Sequence, residues 1–119
     1  MSLLPASHPA IPIISSISDV AAGSRAWLVD IWGVMHNGVA PFLPAAEATR
    51  DFRIRGGIVL LVSNAPRPAH SVVTQIDRIG VPREAYDAVI SSGDVCRGML
   101  RSDPDQPLHH VGPDAGKNA

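Results

Sequence analysis

Three branched, apolar runs begin at residues 26, 58 and 86: "AWLVDIW" (26–32), "IVLLVSN" (58–64) and "YDAVISSGD" (86–94). Each ends on polar residues, and each is followed by a turn and a helix-like stretch. Runs this short and this rich in Val, Ile and Leu predict strands buried on both faces. After the first run, "NGVAPFLP" supplies turn residues, and Pro44 suits the first turn of a helix. From Ala45 to Arg55 the apolar positions Ala45, Ala48, Phe52 and Ile54 keep approximate helical spacing, with Gly56-Gly57 as the stop. After the second run, "APRP" turns into a helix over Ala69–Ile79 with Val72, Val73, Ile76 and Ile79 on one face, ended by Gly80. A short helix over Val95–Leu100 follows the third run, and "LHHVG" (108–112) reads as a fourth strand. The recurrence of strand, turn and helix predicts an α/β fold with a parallel sheet of three to four strands and flanking helices. Residues 1–25 read as an N-terminal arm with a short helix over Ser15–Ala22, 26–112 as the folded core, and 113–119 as a polar tail.

Right-handed crossovers bring the C-terminal ends of all parallel strands to one edge, where open α/β sheets bind ligands. Asp30, Ser63-Asn64 and Ser91-Ser92-Gly93 all fall at those ends. An acid at the end of a buried strand needs a cation or several donors to stay ionised, so Asp30 is a candidate nucleophile or metal ligand; its plainer role is a cap. Ser63 and Asn64 offer a hydroxyl and an amide just before a helix N-terminus, which together make an anion site, while Asn64 alone also suits an N-cap. Arg67, just inside that helix, adds a bidentate phosphate contact or stays in solvent. Asp94 reads as a capping carboxylate, and Cys96 as a small packing residue. His109 and His110 alternate faces on a strand and do not chelate one metal. "GPDAGKNA" lacks the spacing of a nucleotide-binding loop.

Composition narrows the partners. The 119-residue chain is 45% hydrophobic and 18% charged, with a net charge of −1. That balance describes one globular domain and supplies no basic surface for nucleic acid or anionic membrane. A lone cysteine gives no internal disulfide, and no apolar run approaches the roughly 18–20 residues of a membrane span, so the expected location is cytoplasmic. A dinucleotide binder would need a Gly-x-Gly-x-x-Gly turn after the first strand, and none is present.

"DIWGV" followed by a glycine-containing loop, "SNAPRP" and "YDAVISSGD", in this order and at these distances over residues 26–112, resembles the haloacid dehalogenase (HAD) superfamily. More narrowly it resembles the class IIA hydrolases, typified by sugar-phosphate and nitrophenyl-phosphate phosphatases. The resemblance implies a Rossmann-like core, of which this chain carries the N-terminal part. It further implies Asp30 as nucleophile and Mg²⁺ ligand, the Trp32 backbone carbonyl as a second Mg²⁺ ligand, and Ser63, Asn64 and Arg67 around the transferred group of a small phosphorylated substrate. Trp32 stands where the family usually has a second aspartate, the acid that protonates the leaving oxygen. Acid help of that kind is commonly worth about 10²–10⁴ in rate, and an indole N–H does not supply a proton near neutral pH. His36 is a substitute acid in principle. The family's later motifs, a lysine and further acidic Mg²⁺ ligands beyond the cap domain, have no counterpart after Gly112, so the expected Mg²⁺ affinity and activity are weak. The first strand, central in such cores, is expected to expose an unpaired edge and to promote homodimerisation, element swapping or poor solubility. The competing expectation is a non-catalytic α/β module that binds an anion at the same edge or serves in an assembly.

Overall fold

The computed structural model describes residues 10–109, 111 and 112. Its elements are α1 (Ser18–Ala21), β1 (Ala26–Asp30), α2 (Leu43–Ile54), β2 (Ile58–Ser63), α3 (Ala69–Ile79), a short 3-10 turn (Arg83–Ala85), β3 (Ala88–Ser91) and α4 (Ser92–Ser102). The sheet is parallel in the order β1-β2-β3, with Asp30 opposite Val62 and Ser63 opposite Ser91. The predicted α/β class and parallel sheet are therefore present. The α3 boundaries are those expected, with Gly80 closing the helix in a left-handed conformation.

The second strand and its helix partners build the core. Val59 and Leu61 are fully buried, packed with Phe52 of α2 and Val72 and Ile76 of α3. Trp27 of β1 lies flat against Phe52, with ring centroids 4.0 Å apart and planes 7° from parallel. Thr49 is the polar residue within this layer, and its hydroxyl bonds back to the carbonyls of Ala45 and Ala46. Both crossovers run in the same direction across the sheet, so α2 and α3 cover the same face.

That shared face corrects one expectation. The strands are not buried on both sides: β1 alternates exposed and half-buried residues, and Leu28 is 72% exposed. Val62 and Ile90 share that outward face and are also exposed. A nearly unbroken apolar run hides this alternation, because both faces carry the same residue types. A second correction concerns "LHHVG". Leu108 and His109 are in no strand, the sheet has three strands among the described residues, and His110 lies outside them. Among the described residues the chain does not return to the sheet after α4.

At the opposite end from the strand termini, Asp87 locks β2 to α2. Its backbone N–H donates to the Val59 carbonyl, and its carboxylate accepts from the Val59 N–H at 2.7 Å. The other carboxylate oxygen pairs with Arg53 at 2.6 Å, and Arg53 also donates to the Glu84 carbonyl. The guanidinium and the amide together hold the Asp87 carboxyl below the usual carboxylate range.

Candidate functional site

Asp30 and Ser63 end adjacent strands at the C-terminal edge of the sheet, and Asn64 and Arg67 follow in the turn after β2. Asp30 is the last residue of β1 and is exposed, not half-buried as a buried strand would have made it. It caps no helix there: α2 begins after Phe42 without any side-chain cap. Ile31, which follows, is 3% exposed, and Trp32 is 63% exposed. This alternation sends Asp30 and Trp32 to the same side of the extended segment, with Ile31 anchoring it from the other.

Ser63 ends β2 one position beyond the residue facing Asp30. Its hydroxyl accepts from the Ala65 N–H at 3.1 Å, which starts the turn, and its carbonyl accepts from the Ser92 hydroxyl at 3.4 Å. Asn64 is exposed and is not the N-cap of α3, since Pro68 holds that position. Arg67 folds back along α3, donating to Gln75 at 2.6 Å.

The helix N-terminus offers fewer donors than the sequence suggests. The first helical N–H, that of Ala69, donates to the Asp94 carboxylate at 2.8 Å, and Pro66 and Pro68 have no N–H. Asp94 thus caps α3, not its own helix. Within α4 the capping residue is Ser91, whose hydroxyl accepts from the Asp94 N–H at 3.2 Å. Gly93 completes the junction. Its N–H donates to the Ala65 carbonyl at 3.0 Å, and a Cβ placed there would lie 2.6 Å from the Arg67 carbonyl oxygen. The turn after β3 is a brace under the turn after β2. Sequence reasoning missed this brace, although Ser91-x-x-Asp94 has the spacing of a capping box.

The loop after β1 is organised around His36, which is 2% exposed. Its Nδ1 accepts from the Gly38 N–H at 2.9 Å, and its carbonyl accepts from the Gly33 N–H at 2.8 Å. Burial lowers its pKa, so the ring is held neutral. A neutral imidazole accepting at Nδ1 is not the substitute acid.

An apolar groove of about 570 Å³ runs between β1 and α2, lined by Trp27, Val29, Met35, Ala45 and Thr49, with Asp30 at its rim. The larger cavity, about 750 Å³, lies at the other end of the sheet, between α1 and the Phe52–Ile58 segment. It contains none of the candidate residues.

Residues 27–119 match the haloacid dehalogenase-like hydrolase family. The chain belongs to that family. A crystal structure of a haloacid dehalogenase-like family hydrolase from Brucella suis 1330 superposes on it with a TM-score of 0.74 at 38% identity. The match covers 84% of this chain and 38% of the Brucella chain, so this chain spans well under half the length of that relative. No curated protein matches.

Hydrolases of the HAD-like family generally use Mg²⁺. This segment's fit to the ion is partial. Mg²⁺ takes about six oxygen ligands in octahedral array. The oxygen donors at this edge suit a hard cation, but among the described residues no three His, Cys, Asp or Glu side chains cluster. No helix of the described residues is long and apolar enough to cross a membrane.

Proposed function

We propose that this segment is the N-terminal part of a class IIA HAD phosphatase acting on a small phosphorylated metabolite in the cytoplasm, with Asp30 as nucleophile. The observation that carries the reading is the position of Asp30: an exposed carboxylate at the C-terminal end of β1, in register with Val62 beside the turn after β2. In this reading an Asp30 oxygen attacks phosphorus, the bond from phosphorus to the leaving oxygen breaks, and water later hydrolyses the aspartyl phosphate. Ser63 and Asn64 hold the phosphoryl oxygens at the mouth of the turn. Arg67 joins them only by releasing Gln75. Asp30 and the Trp32 carbonyl would supply two oxygens to Mg²⁺, whose charge would offset that of the transferred group. The remaining ligands would come from water, substrate or chain outside the described residues.

Hydrolysis of a generic aryl phosphate with Mg²⁺ tests the proposal, because an aryl leaving group needs little protonation. Loss of turnover in Asp30→Asn supports the nucleophile. Turnover equal to that of the unmodified chain removes it and leaves an anion-binding module.

A further inference from the structure

The loop after β1 holds an aromatic surface beside the candidate nucleophile. The indole of Trp32 is 63% exposed, yet its position is set from beneath and from the side. Gly38 lies under the ring, where an added Cβ would stand 2.5 Å from the indole Cη2. A side chain there would displace the indole, and the backbone φ of 90° at this position favours glycine. The His36 ring meets the indole edge-on, with centroids 5.4 Å apart and planes at 89°. His36 is itself fixed by burial and by the Gly38 N–H. A large apolar ring held this firmly in solvent carries a hydration cost that a planar ligand would relieve.

The chemistry beside it points the same way. Residues 31–42 contain no carboxylate, and His36 is buried with its Nδ1 taken up by the Gly38 N–H. Within this loop no group stands ready to protonate a leaving oxygen near Trp32. A phenol has a pKa of about 10, whereas an aliphatic alcohol is as weak an acid as water. Oxygens attached to conjugated systems leave unaided; alkoxides do not.

We propose that Trp32 is a stacking platform for a planar, conjugated leaving group, so that the site selects monophosphates of phenols and enols over those of aliphatic alcohols. This rests on the phosphatase reading above and adds a specificity residue to it. Asp30 and Trp32 leave the same side of the chain two residues apart, about 7 Å in an extended segment. That separation places a ring bonded through oxygen to phosphorus over the indole while phosphorus faces Asp30.

The test uses binding, not turnover. Phenylphosphonate and methylphosphonate are titrated into the isotopically labelled 119-residue chain, following the Trp32 indole N–H and the Ser63 and Asn64 amides by NMR. The expected result is phenylphosphonate binding about threefold to tenfold tighter than methylphosphonate, the range of an aromatic pair. Trp32→Ala should erase that preference while methylphosphonate affinity holds, and Trp32→Phe should keep most of it. The Trp27 indole signal reports whether each variant retains its fold. Equal affinities for the two phosphonates, or a preference that survives Trp32→Ala, overturn the platform alone. If neither compound moves the Ser63 or Asn64 amides, the anion site itself fails and the platform fails with it.

Discussion

The Asp94 carboxylate accepts the first backbone N–H of α3, that of Ala69, at 2.8 Å across 25 residues of sequence. A cap supplied by a different helix couples two turns that would otherwise move separately. Replacing a side-chain cap by alanine typically costs about 1 kcal/mol. Asp94→Ala should therefore lower stability by about that amount and speed exchange of the Ala69 amide about fivefold. Asp94→Asn, which keeps an acceptor, should lose less. An Ala69 exchange rate unchanged in the alanine variant would show that the contact holds nothing.

Gly93 makes a sharper prediction. A methyl group there meets the backbone of Pro66 and Arg67, which cannot rotate aside. Overpacking of this kind costs about 1–3 kcal/mol. Gly93→Ala should lower the thermal midpoint and shift the Asn64 and Ala65 amide resonances. Gly98, in the interior of the same helix, has open space where its Cβ would be. Gly98→Ala should be neutral or stabilising by up to about 1 kcal/mol, so the pair separates crowding from helix propensity.

His36 should make stability depend on pH near neutrality. Burial depresses its folded pKa below the ordinary value of 6.5. Between those two values the unfolded chain binds more protons, so stability rises with pH. The contribution is complete above about pH 6.5 and is lost as pH falls toward the folded pKa. Denaturation midpoints measured from pH 5 to 8 should show this slope. His36→Phe should flatten it, and a variant with the same slope would assign the effect elsewhere.

The Arg53–Asp87 latch acts in a more acidic window. Its carboxyl is held low, so its contribution is present above the unfolded value near 4 and disappears as pH drops through the folded one. Asp87→Asn should lower the thermal midpoint at pH 7, and the two chains should converge once Asp87 is protonated. Midpoints that differ equally at pH 7 and at pH 2 would mean that packing, not charge, is lost.

The edge of β1 predicts self-association. It pairs only with β2 among the described residues, and it carries Leu28 to solvent. Sedimentation velocity should show mass rising with concentration, and Leu28→Lys should suppress that rise. A single monomeric boundary at high concentration, unaffected by the substitution, would argue against pairing through this edge.

Much of this architecture is legible in the sequence alone. Val72, Ile76 and Gly80 fixed α3 by period and stop, and Asp30 and Ser63 were visible as polar ends on apolar runs. What stayed hidden depends on pairs distant in sequence. Nothing local says that Asp94 reaches Ala69, that Asp87 reaches Val59, or that Gly93 must be bare because Arg67 passes over it. His36 illustrates the same limit. Its residue type suggests acid chemistry, and only burial and the Gly38 N–H show a scaffold role. The two-sided burial expected of β1 failed because which face the helices choose is set by crossover direction, not by the strand's own residues.

The uncovered side of the sheet has a thermodynamic signature. Leu28, Val62 and Ile90 are already partly wetted in the native state, and α4 buries none of its residues. Unfolding then uncovers less new apolar area than a chain of this length ordinarily would, and both the denaturant slope and the heat-capacity increment scale with that area. The chain should melt over a broad, shallow transition, and any partner that settles on the bare sheet should steepen it.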